Sequence, residues 1–185
     1  TPTKFKATTE FAPAWGQPTA QVDWNGKRTD LAYDKLGRLV GVWTPDLPKS
    51  ITPDPSVRYS YLLDGVHPTA VKTEKVTNTG AYVAEYQSFH GFLRPRQTQA
   101  PGPDGGRLVA DTFYTPTGQI AKVNDTYFAA GAPSGELLPV VNGSVDLQMA
   151  YVYDGAGRTT DAITLVAGAE QWRTVTRYGG DRVHV

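Results

Sequence analysis

The sequence predicts an all-β fold of antiparallel hairpins, and three observations carry that prediction. Apolar and polar residues alternate with period two in several runs, no run sustains the 3.6-residue spacing of an amphipathic helix, and turn-forming residues separate the runs. Arg58-Tyr59-Ser60-Tyr61-Leu62-Leu63 places Tyr59, Tyr61 and Leu63 on one side of a strand. Ala81 to Tyr86 does the same with Tyr82, Ala84 and Tyr86, and Leu147 to Tyr153 aligns Leu147, Met149, Tyr151 and Tyr153. Thr, Val, Tyr and Trp crowd these runs, as a half-buried pleated surface favours. Asn25-Gly26, Asp64-Gly65 and Asn142-Gly143 are expected to be two-residue hairpin turns, because type I′ geometry needs positive φ at both central positions.

Three stretches interrupt this meander. Thr44 to Pro55 holds four prolines and is expected to be an ordered surface loop, since proline cannot donate to an inner ladder. Pro101 to Gly106 reads as a turn-rich connector. Phe128 to Pro139 has room for one helical turn at most.

Composition narrows the function. The 185 residues suit one domain, and 19 glycines with 14 prolines in a chain that is 39% hydrophobic by residue signal many turns around a core. Lys plus Arg equals Asp plus Glu at 18 each. No global positive field exists to hold a phosphate backbone or an anionic membrane, so neither nucleic acid nor membrane insertion is expected. Without cysteine there is no disulfide, thiolate metal site or thiol nucleophile. No stretch approaches the length of a membrane-spanning helix, and Thr1 to Lys6 lacks the apolar run of a leader peptide.

Internal self-similarity is the most informative feature. Tyr33-Asp34-Lys35-Leu36-Gly37-Arg38-Leu39 and Tyr153-Asp154-Gly155-Ala156-Gly157-Arg158-Thr159 share the frame Tyr-Asp-x-x-Gly-Arg. Tyr114-Thr115-Pro116-Thr117-Gly118 keeps the Tyr and the Gly. Phe89-His90-Gly91-Phe92-Leu93-Arg94 keeps the Arg, with His for Asp and Leu for Gly. An Asp opening such a turn can accept the backbone N–H groups that follow it, and the Gly can take the left-handed conformation that closes it. Each frame therefore specifies a hairpin, with the Tyr ending one strand and the Arg beginning the next, close enough for contact across the ladder.

These frames, with Asp23-Trp24-Asn25-Gly26-Lys27-Arg28-Thr29, the stretch Phe92 to Gln99 and the stretch Gly105 to Tyr114, resemble bacterial Rhs-type YD-repeat proteins over most of the chain. The resemblance implies a β-ribbon spiralling into a hollow shell, with residues 1–185 as a single repeat region cut from a longer protein. It implies no catalysis and no cofactor. The expected partners are neighbouring repeats and an enclosed polypeptide cargo, and the expected location is secreted or on the bacterial surface.

Other chemistry has weaker support. His67, His90 and His184 form no metal-ligand spacing, so no metal is expected. Asp23, Asp30, Asp34, Glu74, Glu85 and Asp154 fall in turns or on polar strand faces, where solvated or capping carboxylates are the ordinary outcome. Gly102 to Gly106 lacks the Lys-Ser/Thr of a phosphate loop. Arg94, Arg96 and Arg107 read as solvated loop residues. The alternative function is a carbohydrate- or cell-surface-binding module, with Trp15, Trp24, Trp43 and Trp172 as a candidate aromatic face.

Overall fold

A computed structural model describes residues 6–185, so the leader reading at Thr1 to Phe5 lies outside the described residues. The strands are β1 (Thr8–Phe11), β2 (Pro18–Val22), β3 (Arg28–Tyr33), β4 (Leu39–Trp43), β5 (Val57–Leu62), β6 (Ala70–Val76), β7 (Tyr82–Phe89), β8 (Pro95–Pro101), β9 (Arg107–Tyr114), β10 (Ile120–Ala129), β11 (Gln148–Tyr153), β12 (Thr159–Val166), β13 (Ala169–Val175), β14 (Arg177–Gly179) and β15 (Arg182–His184). Hydrogen bonding follows chain order through a thirteen-stranded sheet, β1 to β13, while β14 and β15 form a separate pair. Pairing is antiparallel from β1 through β5 and from β7 through β13. The all-β expectation holds, and the only helical pieces among the described residues are two three-residue 3-10 turns, Pro103–Gly105 and Asn142–Ser144.

By contacts the chain forms two compact units. The first comprises the residues up to Tyr61 and Val71–Ala84. Its excursion between β4 and β5 is ordered, as the prolines require: Ser56 Oγ accepts the Thr44 N–H at 3.0 Å, and Leu47 N–H reaches the Thr44 carbonyl at 3.0 Å. Trp43 is buried beneath this loop with the Lys49 ammonium 4.7 Å from its ring. Glu74 is also buried, between Arg58 (3.1 Å) and Lys72 (2.9 Å), and is not the solvated carboxylate the sequence suggests.

The second unit comprises Leu62–Ala70 and Glu85–Val185. The segment between β10 and β11 lies over β8, β9 and β10, and its Val145 packs with Val109 and Tyr127 in a small core flanked by Leu138 and Val140. Each fully buried aliphatic chain of this kind stabilises by about 1.5–3 kcal/mol. Every residue of β13 is exposed, as in an edge strand.

The two-residue hairpins occur elsewhere than expected. Positive φ at both central residues is found at Asp104-Gly105 (51° and 73°) and Ala167-Gly168 (48° and 81°). At Asn25-Gly26 and Asp64-Gly65 only the glycine is left-handed, and Asn142-Gly143 is a 3-10 turn. An Asp upstream decides the first case: Asp23 captures the N–H groups of Asn25 (2.8 Å) and Lys27 (2.9 Å), which converts the turn into a four-residue Asp-x-x-Gly bend.

Candidate functional site

The repeated frames are turns, as their residues dictate. Asp34 Oδ1 accepts the N–H groups of Leu36 and Arg38, each at 2.9 Å, and Oδ2 accepts the Arg38 Nε–H at 2.7 Å. Asp154 repeats this with Ala156 and Arg158, at 2.9, 2.9 and 2.8 Å. The Gly37 N–H closes on the Asp34 carbonyl at 3.0 Å with φ +77°, and Gly157 on Asp154 at 2.9 Å with φ +80°. The Arg38 and Arg158 backbone N–H groups, helped by their guanidiniums, hold the two carboxyls below the usual carboxylate range.

The weaker copies keep the same geometry with substituted atoms. Thr115 Oγ1 accepts the Gln119 N–H at 3.1 Å, and Gly118 has φ +88°. At the Phe89 copy, His90 Nδ1 takes the Asp role and accepts the Phe92 N–H at 2.9 Å. Leu93 stands where glycine is expected and adopts φ +55°, a strained conformation for a branched side chain, with its N–H on the His90 carbonyl at 2.8 Å. Two further copies escape a search anchored on tyrosine: Asp23 to Lys27, and Thr77 to Ala81 with Gly80 at φ +84°. The spacing Asp/Thr-x-x-Gly was the available signal.

Between hairpins the tyrosines make a ladder. Tyr33 Oη–H donates to the Pro18 carbonyl, Tyr61 to Leu39, Tyr114 to Pro95, Tyr153 to Ile120 and Tyr178 to Thr159, every one at 2.9 Å. In each case the acceptor is the second residue after a turn's left-handed position. The first residue after that position reaches onward as well. Gln17 Nε2 donates to the Gly37 carbonyl at 2.7 Å, Gln119 Nε2 to Gly157 at 2.8 Å, and Arg94 to Gly118. Arg38 and Arg158 lie over Tyr61 and Tyr178, each 4.4 Å from the ring centre. The arginines thus stack on the tyrosine of the following hairpin and not on the one in their own frame, which corrects the sequence expectation.

A buried amide network in the second unit was not legible beforehand. Asp111 accepts from Arg96 (2.7 Å) and Gln97 (2.8 Å) on one oxygen, and from Asn124 (3.2 Å) and Tyr127 (3.0 Å) on the other. Gln97 and Gln99 are buried and act as surrogate backbone: they take the N–H groups of Leu138 (2.8 Å) and Ser134 (3.0 Å), and donate to the carbonyls of Leu138 (3.0 Å) and Glu136 (2.6 Å). This clamp seats the covering segment. Burial, with the nearby Asp111 carboxylate, pushes the Tyr127 phenol up. Every Asp111 oxygen is occupied by donors, so the carboxylate is structural and has no free lone pair for acid–base work.

Arg96 and Arg107 are accordingly half-buried and bonded to other side chains, Arg96 to Asp111 and Arg107 to Gln99 Oε1 at 3.0 Å, and are not free loop cations. Trp43 is 7% exposed, whereas Trp15, Trp24 and Trp172 are 62%, 65% and 62% exposed. Trp15 and Trp24 sit in the turns at opposite ends of five-residue β2. Among the described residues no group of three His, Asp or Glu side chains could hold a metal. No described helix is long and apolar enough to cross a membrane.

No family model matches the chain, and no curated protein matches it. Solved structures do. The crystal structure of TcdB2-TccC3 aligns with TM-score 0.65 at 16% identity, covering 94% of this chain and 11% of that one. The crystal structure of TcdB2-TccC3 without hypervariable C-terminal region aligns with TM-score 0.66 at 14% identity, covering 94% and 13%. This chain therefore spans only a small part of the length of the structures it matches. At such identity the likeness establishes architecture: the chain has the all-β hairpin-repeat fold present in TcdB2-TccC3, the fold that its resemblance to Rhs-type YD-repeat proteins implies.

Proposed function

We propose that this chain is an interior hairpin-repeat segment of an Rhs-type shell that encloses and delivers a polypeptide effector. The observation that carries this is the tyrosine ladder: five tyrosines bond five carbonyls in one recurring relation, which ties successive hairpins together. In such a device burial is the function, with no catalysis, and neighbouring repeats are its first partners. The likeness to TcdB2-TccC3 supports the shell role, and a secreted or surface location follows from that role. Residues 1–185 then make one repeat region of a longer chain. Protease digestion of the full-length chain tests this: the enclosed C-terminal segment should resist cleavage until the repeats are denatured, and a segment digested at the same rate in the native protein would overturn it.

Exposed Trp15, Trp24 and Trp172 support a second reading, a carbohydrate-binding surface. It requires tryptophan fluorescence to change on addition of cell-wall polysaccharide. An unchanged spectrum with no hit on a glycan array removes it.

A further inference from the structure

Asparagine precedes glycine twice, at Asn25-Gly26 and Asn142-Gly143, and the two pairs are set up differently. Spontaneous loss of an asparagine amide begins when the next backbone nitrogen attacks Cγ, an intramolecular step that depends on how that nitrogen and the amide oxygen are held. In the first pair the nucleophile is engaged. The Gly26 N–H donates to the Asp23 carbonyl at 3.0 Å, and the Asn25 N–H is tied to the Asp23 carboxylate at 2.8 Å.

In the second pair the Gly143 N–H has no hydrogen-bond acceptor among the described residues, while its neighbours Ser144 and Val145 donate to Val141 and Asn142. The space beside Gly143 is open, since an added Cβ would meet nothing nearer than the Ala167 carbonyl oxygen at 4.0 Å. Asn142, Gly143 and Ser144 are all exposed to water. The electrophile is also prepared. Asn142 Oδ1 accepts from Lys122 Nζ at 2.7 Å and from Gln148 Nε2 at 3.3 Å. Two donors on the oxygen that becomes negative in the tetrahedral intermediate are the arrangement of an oxyanion hole.

We propose that Asn142 is a site of spontaneous deamidation, promoted by Lys122 and Gln148, and that Asn25 is protected by its turn. The Gly143 N–Cγ bond forms and the Cγ–Nδ2 bond breaks, and ammonia leaves with the proton from the Gly143 amide. Water then opens the succinimide at either carbonyl, giving aspartate or isoaspartate. The new carboxylate faces the Lys122 ammonium. Isoaspartate also lengthens the main chain by a methylene three residues before Val145, whose side chain fills the core with Val109 and Tyr127. Conversion therefore adds a negative charge and loosens the segment covering β8 to β10.

Peptide mapping by mass spectrometry, after the folded chain is held at mildly alkaline pH, tests the proposal. Asn142 should convert at least about tenfold faster than Asn25, and Lys122→Met should slow conversion at Asn142 several-fold. Equal or faster conversion at Asn25 would overturn it, as would an Asn142 still intact when the isolated peptide has fully converted. A rate unchanged or raised in Lys122→Met would remove the promoting donors. Loss of ammonia with no later uptake of water, in a peptide joining Lys122 to Asn142, would show that the lysine nitrogen had attacked instead, and would equally overturn it.

Discussion

The Tyr153 hydroxyl donates to the Ile120 carbonyl at 2.9 Å, thirty-three residues back along the chain, and Tyr33 makes the same bond to Pro18 across fifteen. The loop between paired residues varies, yet the geometry does not. Removing the hydroxyl isolates the bond: Tyr153→Phe and Tyr33→Phe should each cost about 1 kcal/mol, read as a lowered urea midpoint with an unchanged slope. A pair of unchanged midpoints would show that the ladder is incidental to stability.

Leu93 occupies a glycine position at φ +55° and is 67% exposed, so its backbone cost is offset by little packing. Leu93→Gly should stabilise by about 0.5–1 kcal/mol, and Gly157→Ala should destabilise by about 1–2 kcal/mol, because its added Cβ meets left-handed strain and stands 3.1 Å from Gln119 Nε2. Thermal unfolding of the two variants must move in opposite directions. A destabilised Leu93→Gly would mean that the exposed tip makes contacts of its own.

Asp111 is the hub of the buried network. Asp111→Ala leaves Arg96, Gln97, Asn124 and Tyr127 donors without their acceptor, and the expected loss is about 3 kcal/mol. Amide exchange at Ser134 and Leu138 should accelerate with it, because Gln97 and Gln99 hold those N–H groups. A loss typical of a surface substitution, with exchange unaltered, would contradict the clamp.

Acid should open the turns. Asp34 and Asp154 have folded pKa values below their unfolded ones, and the His67 backbone N–H, with its ring, brings Asp64 down to about 2. Their stabilising contribution is complete above the unfolded value of about 3.9 and is lost as pH falls through the lower folded values. His67 is raised by the Asp64 carboxylate, so its contribution is complete below the unfolded value of about 6.5 and is lost as pH rises through the folded one. Urea midpoints should therefore drop between about pH 4 and pH 2, and Asp34→Asn with Asp154→Asn should flatten that drop. A slope equal to the parent's would exclude these turns as its source.

The hairpins at Tyr33–Arg38 and Tyr153–Arg158 were legible because local chemistry alone makes them: an acceptor, two free positions and a left-handed residue. Asn25-Gly26 misled because the dipeptide signal ignores an Asp two residues upstream. Gln97, Gln99, Asp111, Asn124 and Gln148 look like solvent-side strand residues by alternation. They are buried because the segment after β10 folds over that face and, beside its apolar Val145, Leu138 and Val140, presents backbone groups that need partners. Only strand register places these polar residues side by side, with Gln97 opposite Asp111 and Asp111 opposite Asn124. Trp43 looks no different in sequence from the exposed tryptophans, because composition does not reveal which loop returns over which strand.

Amide hydrogen exchange along β13 tests the central claim most directly. Among the described residues β13 pairs only with β12, so half its backbone groups face outward without a partner. If this chain is a stretch of a continuous hairpin ladder, the outward amides between Ala169 and Val175 exchange freely in the isolated chain and become protected in the full-length protein. Protection of those amides in the isolated monomer, or free exchange in the full-length protein, would contradict it.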